Sequence, residues 1–219
     1  MDNKDRRGFI RKVYGILSVQ LLLTGLVIAA VQWDRDLNAF MREQGPIAMG
    51  LIVLSIAIEC AILCCKSVSR KVPTNYILLF VFTACQAFIF GVITSFYTAT
   101  SVISASGMTA GMTLAITVYA CTTKTDFTTC SGLFLCLSIG MLMLCCISFF
   151  FTFSAWWHPV LSAVLVVFYG LFLIYDTQLI AGGGQHALSY DDYIVGALII
   201  YIDIMMIFLE LLKLFGSTN

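Results

Sequence analysis

Charge is scarce in this sequence. Lys and Arg number 12 and Asp and Glu 12, together 11% of 219 residues, and they cancel to a net charge of zero. Soluble domains carry about 25% charged residues, so this composition cannot clothe a water-exposed domain of this size. With no basic patch beyond the ends of its apolar runs, the chain also lacks the electrostatic footprint of a nucleic-acid binder. Proline is nearly absent, at three residues, and there is neither a low-complexity stretch nor a linker long enough to separate two domains. A disulfide framework is missing as well. The nine cysteines are odd in number and fall mostly inside apolar runs (Cys60, Cys85, Cys121, Cys136, Cys145, Cys146), which suits small buried thiols and not an extracellular scaffold. Cys64 and Cys65, at the end of a run, are candidates for palmitoylation.

What fills the chain is apolar: 60% hydrophobic residues and a mean hydropathy of +0.97. That is the composition of a polytopic membrane protein. Runs of ~20 apolar residues, the length a ~30 Å hydrocarbon core demands, occur seven times, at about 14–31, 46–65, 75–97, 102–122, 131–153, 159–180 and 193–215. The predicted fold class is all-α, a polytopic seven-transmembrane-helix bundle. A short basic segment, 1–13, precedes a single transmembrane domain, 14–215, and a tail, 216–219, follows it. Pro46, Pro73, Lys124 with Asp126, Pro159 and the glycines at 182–184 punctuate the runs, while Trp33, Trp156 and Trp157 suit an interfacial aromatic belt.

Lys and Arg set the orientation. Lys4, Arg6, Arg7, Arg11, Lys12, Lys66, Arg70, Lys71 and Lys124 fall on one side, against Arg35 and Arg42 on the other, so the positive-inside rule places the N-terminus in the cytosol. The basic start is followed by ~17 apolar residues, longer than a signal-peptide core, and reads as a retained anchor. Seven crossings would carry the tail to the opposite side. Because the last run holds Asp203 and Glu210, the other reading is six spans plus a re-entrant segment that returns the tail to the cytosol.

Those acids single out the region 167–215. An ionisable group at membrane depth costs several kcal/mol and is retained chiefly where it faces a protein interior or water. Asp176, Asp203 and Glu210 are therefore the default functional site. At about 100° per residue, Asp192, Asp203 and Glu210 fall within about 20° of one another, and Ser162, Tyr169 and Asp176 align on the preceding helix. The bland alternative is that each acid is a lone satisfied group. Glu59, inside the second run, is either hydrogen-bonded to a Ser or Thr of a neighbouring helix or part of a pore. Ser189 and Asp192 read as a capping box that opens the last helix, a structural role for Asp192.

The segments FIRKVYGILSVQLLLT (9–24), TKTDFTTCSGLF (123–134), IYDTQLI (174–180) and LSYDDYIVGALIIYIDIMMIFLELL (188–212) together resemble the transmembrane Bax-inhibitor-motif family, lifeguard branch, over nearly the whole chain. The resemblance implies a seven-helix bundle, or six helices and a re-entrant segment, in Golgi or endoplasmic-reticulum membranes. It also implies a pH-dependent calcium leak and protection from apoptosis. By position, the family's paired aspartates fall on Asp176 and Asp203, and its acidic loop position on Asp191 or Asp192. The chain has no long Pro-rich N-terminal extension, so partner binding through such a tail is not expected. Apoptotic regulators or calcium-release channels are the partners the resemblance implies.

Three function classes follow. In a calcium leak channel, carboxylates on facing helices and water would transiently supply the oxygens that a permeant Ca2+ needs, with no resident cofactor. Two close carboxylates cannot both ionise cheaply, so they would share a proton and sense pH, with His186 the next candidate sensor. A non-conducting scaffold or receptor for apoptotic regulators is the second class. An intramembrane aspartyl protease is the third, and Tyr175, Asp176 and Asp203 fit it only superficially, since no glycines flank Asp203; the chain is read as a non-enzyme. Arg70 is expected to latch the closed state by gripping Asp176 with its planar fork, or else only to set topology.

Overall fold

In the computed structural model the described residues are 3–150, 157–182 and 188–218. They form α1 (Asn3–Trp33), α2 (Arg35–Glu43), α3 (Gly45–Cys64), α4 (Lys66–Ser69), α5 (Thr74–Ser95), α6 (Ala99–Thr122), α7 (Ser131–Phe150), α8 (Trp157–Ala181) and α9 (Tyr193–Phe215), with 3-10 turns at Phe127–Cys130 and Tyr190–Asp192. Six of these helices are long and apolar enough to cross a membrane, and α7 carries a shorter apolar stretch, Gly132–Leu144. The protein is an all-α polytopic membrane protein. The basic segment 1–13 is not a separate lead-in, because α1 already begins at Asn3. The helix α2 follows no apolar run. Asp34 starts it by accepting from the amides of Asp36 and Leu37, the usual N-cap arrangement, and Met41 seats it in a cluster with Val31, Ala48 and Val92.

The chain forms two compact units. The first comprises Met1–Val102, Ser189–Tyr201 and Ser217–Asn219. At one end of it Lys12 lies over the ring of Tyr193, which in turn meets Tyr76. At the other end Gln32 Nε2 donates to the Thr94 carbonyl at 2.7 Å. Thus α1, α5 and the start of α9 run in the same direction. Midway, Gln20 Nε2 donates to Thr83 Oγ1 at 3.0 Å. The Tyr201 and Thr24 hydroxyls are 2.8 Å apart, and since Thr24 donates to the Gln20 carbonyl, Tyr201 is the donor between them. Such polar ties hold helices together where lipid offers no hydrophobic drive. Beyond α9, Ser217 and Thr218 pair with the connection between α5 and α6: Thr98 N donates to the Ser217 carbonyl, Ser217 N to Ser101 Oγ, and Tyr97 bridges Thr218. The tail therefore lies at the end opposite Lys12, and α9 is one continuous helix of 23 residues. Its length and its ends, at opposite ends of the first unit, are those a full crossing requires.

The second unit comprises Ile103–Leu188 and Ile202–Gly216. A Cβ on Gly170 of α8 would lie 3.0 Å from Met112 Cε and 3.4 Å from Ile116 Cδ1 of α6, so only glycine allows that approach without a shift. On its other side α8 packs the rings of Phe172 and Tyr175 against Phe134 of α7. Gln178 fixes the loop after α6, donating to the carbonyls of Ala120 and Thr125 and accepting from Phe127 N at 2.8 Å. Asp126 then starts the 3-10 turn by accepting from Thr128 N and Oγ1.

Candidate functional site: a paired carboxyl group between two spans

Within the second unit the carboxyl groups of Asp176 on α8 and Asp203 on α9 lie close enough to interact directly. Ionised carboxylates only accept, so a hydrogen bond between the two forms only when one of them carries a proton. Asp203 is 6% exposed and Asp176 half-buried. Asp203 Oδ2 and the neighbouring Thr177 Oγ1 are buried without a hydrogen-bond partner. Unpaired buried oxygens cost about 1–3 kcal/mol each, a cost that a water molecule or cation bound to these two would relieve. The contact also levels residues at unequal depth. Asp176 is five residues from the end of α8, ~7 Å, and Asp203 ten from the start of α9, ~15 Å. The local sequence permits this because α9 buries apolar residues on both sides of the acid: Ile200, Tyr201, Ile204, Met205 and Ile207 are all enclosed.

The other expected residues are placed differently. Glu210, 2% exposed, accepts from Lys213 Nζ at 2.7 Å through Oε1, while its Oε2 has no partner. It faces inward with its own counter-ion three residues on. Glu59 is half-buried on α3 with no hydrogen bond or ion pair recorded to its side chain among the described residues. Asp192 is not the first member of a stripe on α9, because it lies in the 3-10 turn before that helix. Nor does it complete a capping box: Ser189 holds the N-cap position but makes no side-chain cap bond, and only the Asp192 amide bonds the Ser189 carbonyl.

The Asp192 carboxylate is instead held by Arg70 through two hydrogen bonds, Nε to Oδ1 at 2.8 Å and Nη2 to Oδ2 at 2.9 Å. The expected fork grip is therefore formed, with a different acid: Arg70 is engaged by Asp192, whereas Asp176 faces Asp203. The hydrogen bonds and charge of Asp192, with a smaller contribution from exposed Asp191, raise the Arg70 pKa further above its ordinary value. His186 and glycines 183–184 lie outside the described residues. Sequence reasoning passed over Gln178, although a buried amide two residues from Asp176 in an apolar run is itself a signal. Among the described residues no group of three or more His, Cys, Asp or Glu converges as a metal-holding cluster; the oxygens at the pair are those of the two carboxyl groups. Cys60, Cys64, Cys65, Cys85, Cys121, Cys136 and Cys146 are free thiols, with Cys64 and Cys65 exposed.

A polytopic helical membrane protein with two facing acids on consecutive spans is the class that fold and site define. The chain belongs to the family described as inhibitor of apoptosis-promoting Bax1, whose profile matches residues 6–219. It is 39% identical over 221 residues to Protein lifeguard 3 of Homo sapiens, covering all of this chain and 71% of that protein. Protein lifeguard 3 of Mus musculus is 37% identical, with 72% of its length covered. Protein lifeguard 4 of Mus musculus is 33% identical over 98% of this chain and 87% of its own length. These relatives are named as lifeguard proteins and not as enzymes.

Proposed function

We propose that this protein is a pH-sensitive calcium leak channel of Golgi or endoplasmic-reticulum membranes, with its N-terminus in the cytosol, and that it inhibits apoptosis by lowering stored calcium. The observation that carries this reading is the facing Asp176–Asp203 pair. A shared proton holds two helices together at a point where losing it would leave two like charges in a poorly solvated place. Repulsion then favours either separation of the helices or neutralisation by a cation, and a hard dication is the ion that two carboxylates and water hold best. The pair is thus both sensor and ion contact. Apoptotic regulators or calcium-release channels are the partners such a leak would act beside.

The test is calcium flux from proteoliposomes holding the purified protein, parent against Asp203→Asn, at several values of pH. Leak from the parent that responds to pH and falls in the variant supports the channel. A parent that passes no more calcium than empty liposomes would falsify it, and would favour a non-conducting scaffold.

A further inference from the structure

Within the first unit an open cleft of about 350 Å3 is lined by Gln32, Arg35, Asn38, Ala39, Arg42 and Ala99. On α2 residues 35, 38, 39 and 42 fall within about 100° of arc, so one face of a nine-residue helix supplies both arginines. The acids nearby point elsewhere. Asp36 and Glu43 lie about 90° around the helix from that face, and Asp34 is engaged in capping α2. Among the described residues neither arginine makes an ion pair.

The donors in the cleft are oriented by the protein. Arg42 donates Nε to the Ser95 carbonyl at 2.8 Å and lies 5.9 Å from the centre of the Phe96 ring, which fixes the plane of its guanidinium and leaves its terminal NH2 groups for another acceptor. Gln32 and Asn38 donate their amide hydrogens to the carbonyls of Thr94 and Val31, so each retains a side-chain oxygen as acceptor. Ala99, the first residue of α6, brings that helix's positive dipole end to the same cleft. Two guanidinium forks and a helix start, with no carboxylate between them, match the geometry and charge of a phosphate. The two amide oxygens suit a hydroxyl or amine beside it.

The surroundings identify the source. Trp33 and Phe96, at the ends of the apolar spans α1 and α5, are 92% and 45% exposed, the level at which aromatic side chains sit among lipid headgroups, and Phe40 on α2 between them is 54% exposed. We propose that this cleft binds the phosphate of an anionic phospholipid from the leaflet at the C-terminal ends of α1 and α5, with Arg35 and Arg42 as donors to the phosphate. The binding is independent of ion conduction.

Native mass spectrometry of the full chain in neutral detergent, titrated with phosphatidylglycerol, phosphatidylcholine or inorganic phosphate, tests this. Phosphatidylglycerol is expected to be retained in preference to phosphatidylcholine, and Arg35→Gln to weaken its retention by about tenfold, the loss of one charge-assisted contact. Arg35 makes no recorded contact that stabilises the fold, so its variant stays informative even if Arg42→Gln disturbs the Ser95 anchor. Equal retention of the two lipids, or undiminished phosphatidylglycerol binding by Arg35→Gln, overturns the proposal. So does displacement of the lipid by millimolar inorganic phosphate, which would identify a soluble anion as the ligand.

Discussion

Asp203 is the residue that most directly tests the proposed activity. Changing it to Asn retains the size and removes the charge, and calcium leak in proteoliposomes is expected to fall further than for any single change among the apolar span residues. A leak equal to the parent's would remove the acid pair from the pathway. Asp176→Asn tests the proton. With the amide in place the pair can hydrogen-bond without a shared proton, so the sigmoidal response of leak to pH between about 5 and 8 should flatten. An unchanged profile would move the sensor elsewhere. For stability, Tyr201→Phe deletes the hydroxyl that donates to Thr24, at a cost of about 1 kcal/mol, read as a lower Tm in detergent. At this scale the sequence located the acids well, because a carboxylate in an apolar run is conspicuous. It misdirected Arg70. Span depth made Asp176 the neighbour, and Asp192 had been assigned to a cap; only the 3-10 turn at Tyr190–Asp192 frees that carboxylate to reach Arg70.

Among the helices, the end of α4 and the turn before α9 are joined by the Arg70–Asp192 ion pair, with Asn75 bridging the Ser69 carbonyl and the Tyr193 hydroxyl beside it. If that pair restrains α9, Arg70→Ala raises basal leak at neutral pH. Combining it with Asp192→Asn should then add little, since both remove the same contact; fully additive effects on leak would show that the contact does not gate. The close approach of α6 and α8 gives a second prediction. Gly170→Leu forces a large side chain against Met112 and Ile116 and should destabilise by about 1–3 kcal/mol, measured by thermal unfolding in detergent, whereas Gly170→Ala meets only the flexible end of Met112 at 3.0 Å. The spanning helices were legible because about 20 apolar residues leave few alternatives. In contrast α2 was not, since its nine residues include Arg35, Asp36, Arg42 and Glu43. Its signal was the i, i+3, i+4 pattern of Leu37, Phe40 and Met41 behind Asp34, too short to stand out beside the long runs.

For the molecule as a whole, the direction of α9 decides the topology. Its acids suggested a segment that turns back, because charge at depth argues against a full crossing. Tertiary contacts weigh against that inference: Asp203 faces Asp176 and Glu210 has Lys213 as a counter-ion, so each acid has a protein partner on at least one side. A cysteine introduced as Ser217→Cys should accordingly react with an impermeant thiol reagent from the side opposite to Cys64 and Cys65. Labelling of both from one side would contradict a full crossing by α9. The pairing of Ser217 and Thr218 with residues 97–101 also has a practical consequence. A purification tag or fluorescent reporter joined directly after Thr218 would pull on a segment that is part of the fold, next to the cleft formed by Arg35 and Arg42. Reporters joined ahead of α1 leave that end undisturbed, and the two fusions should differ in expression and thermal stability for this reason alone.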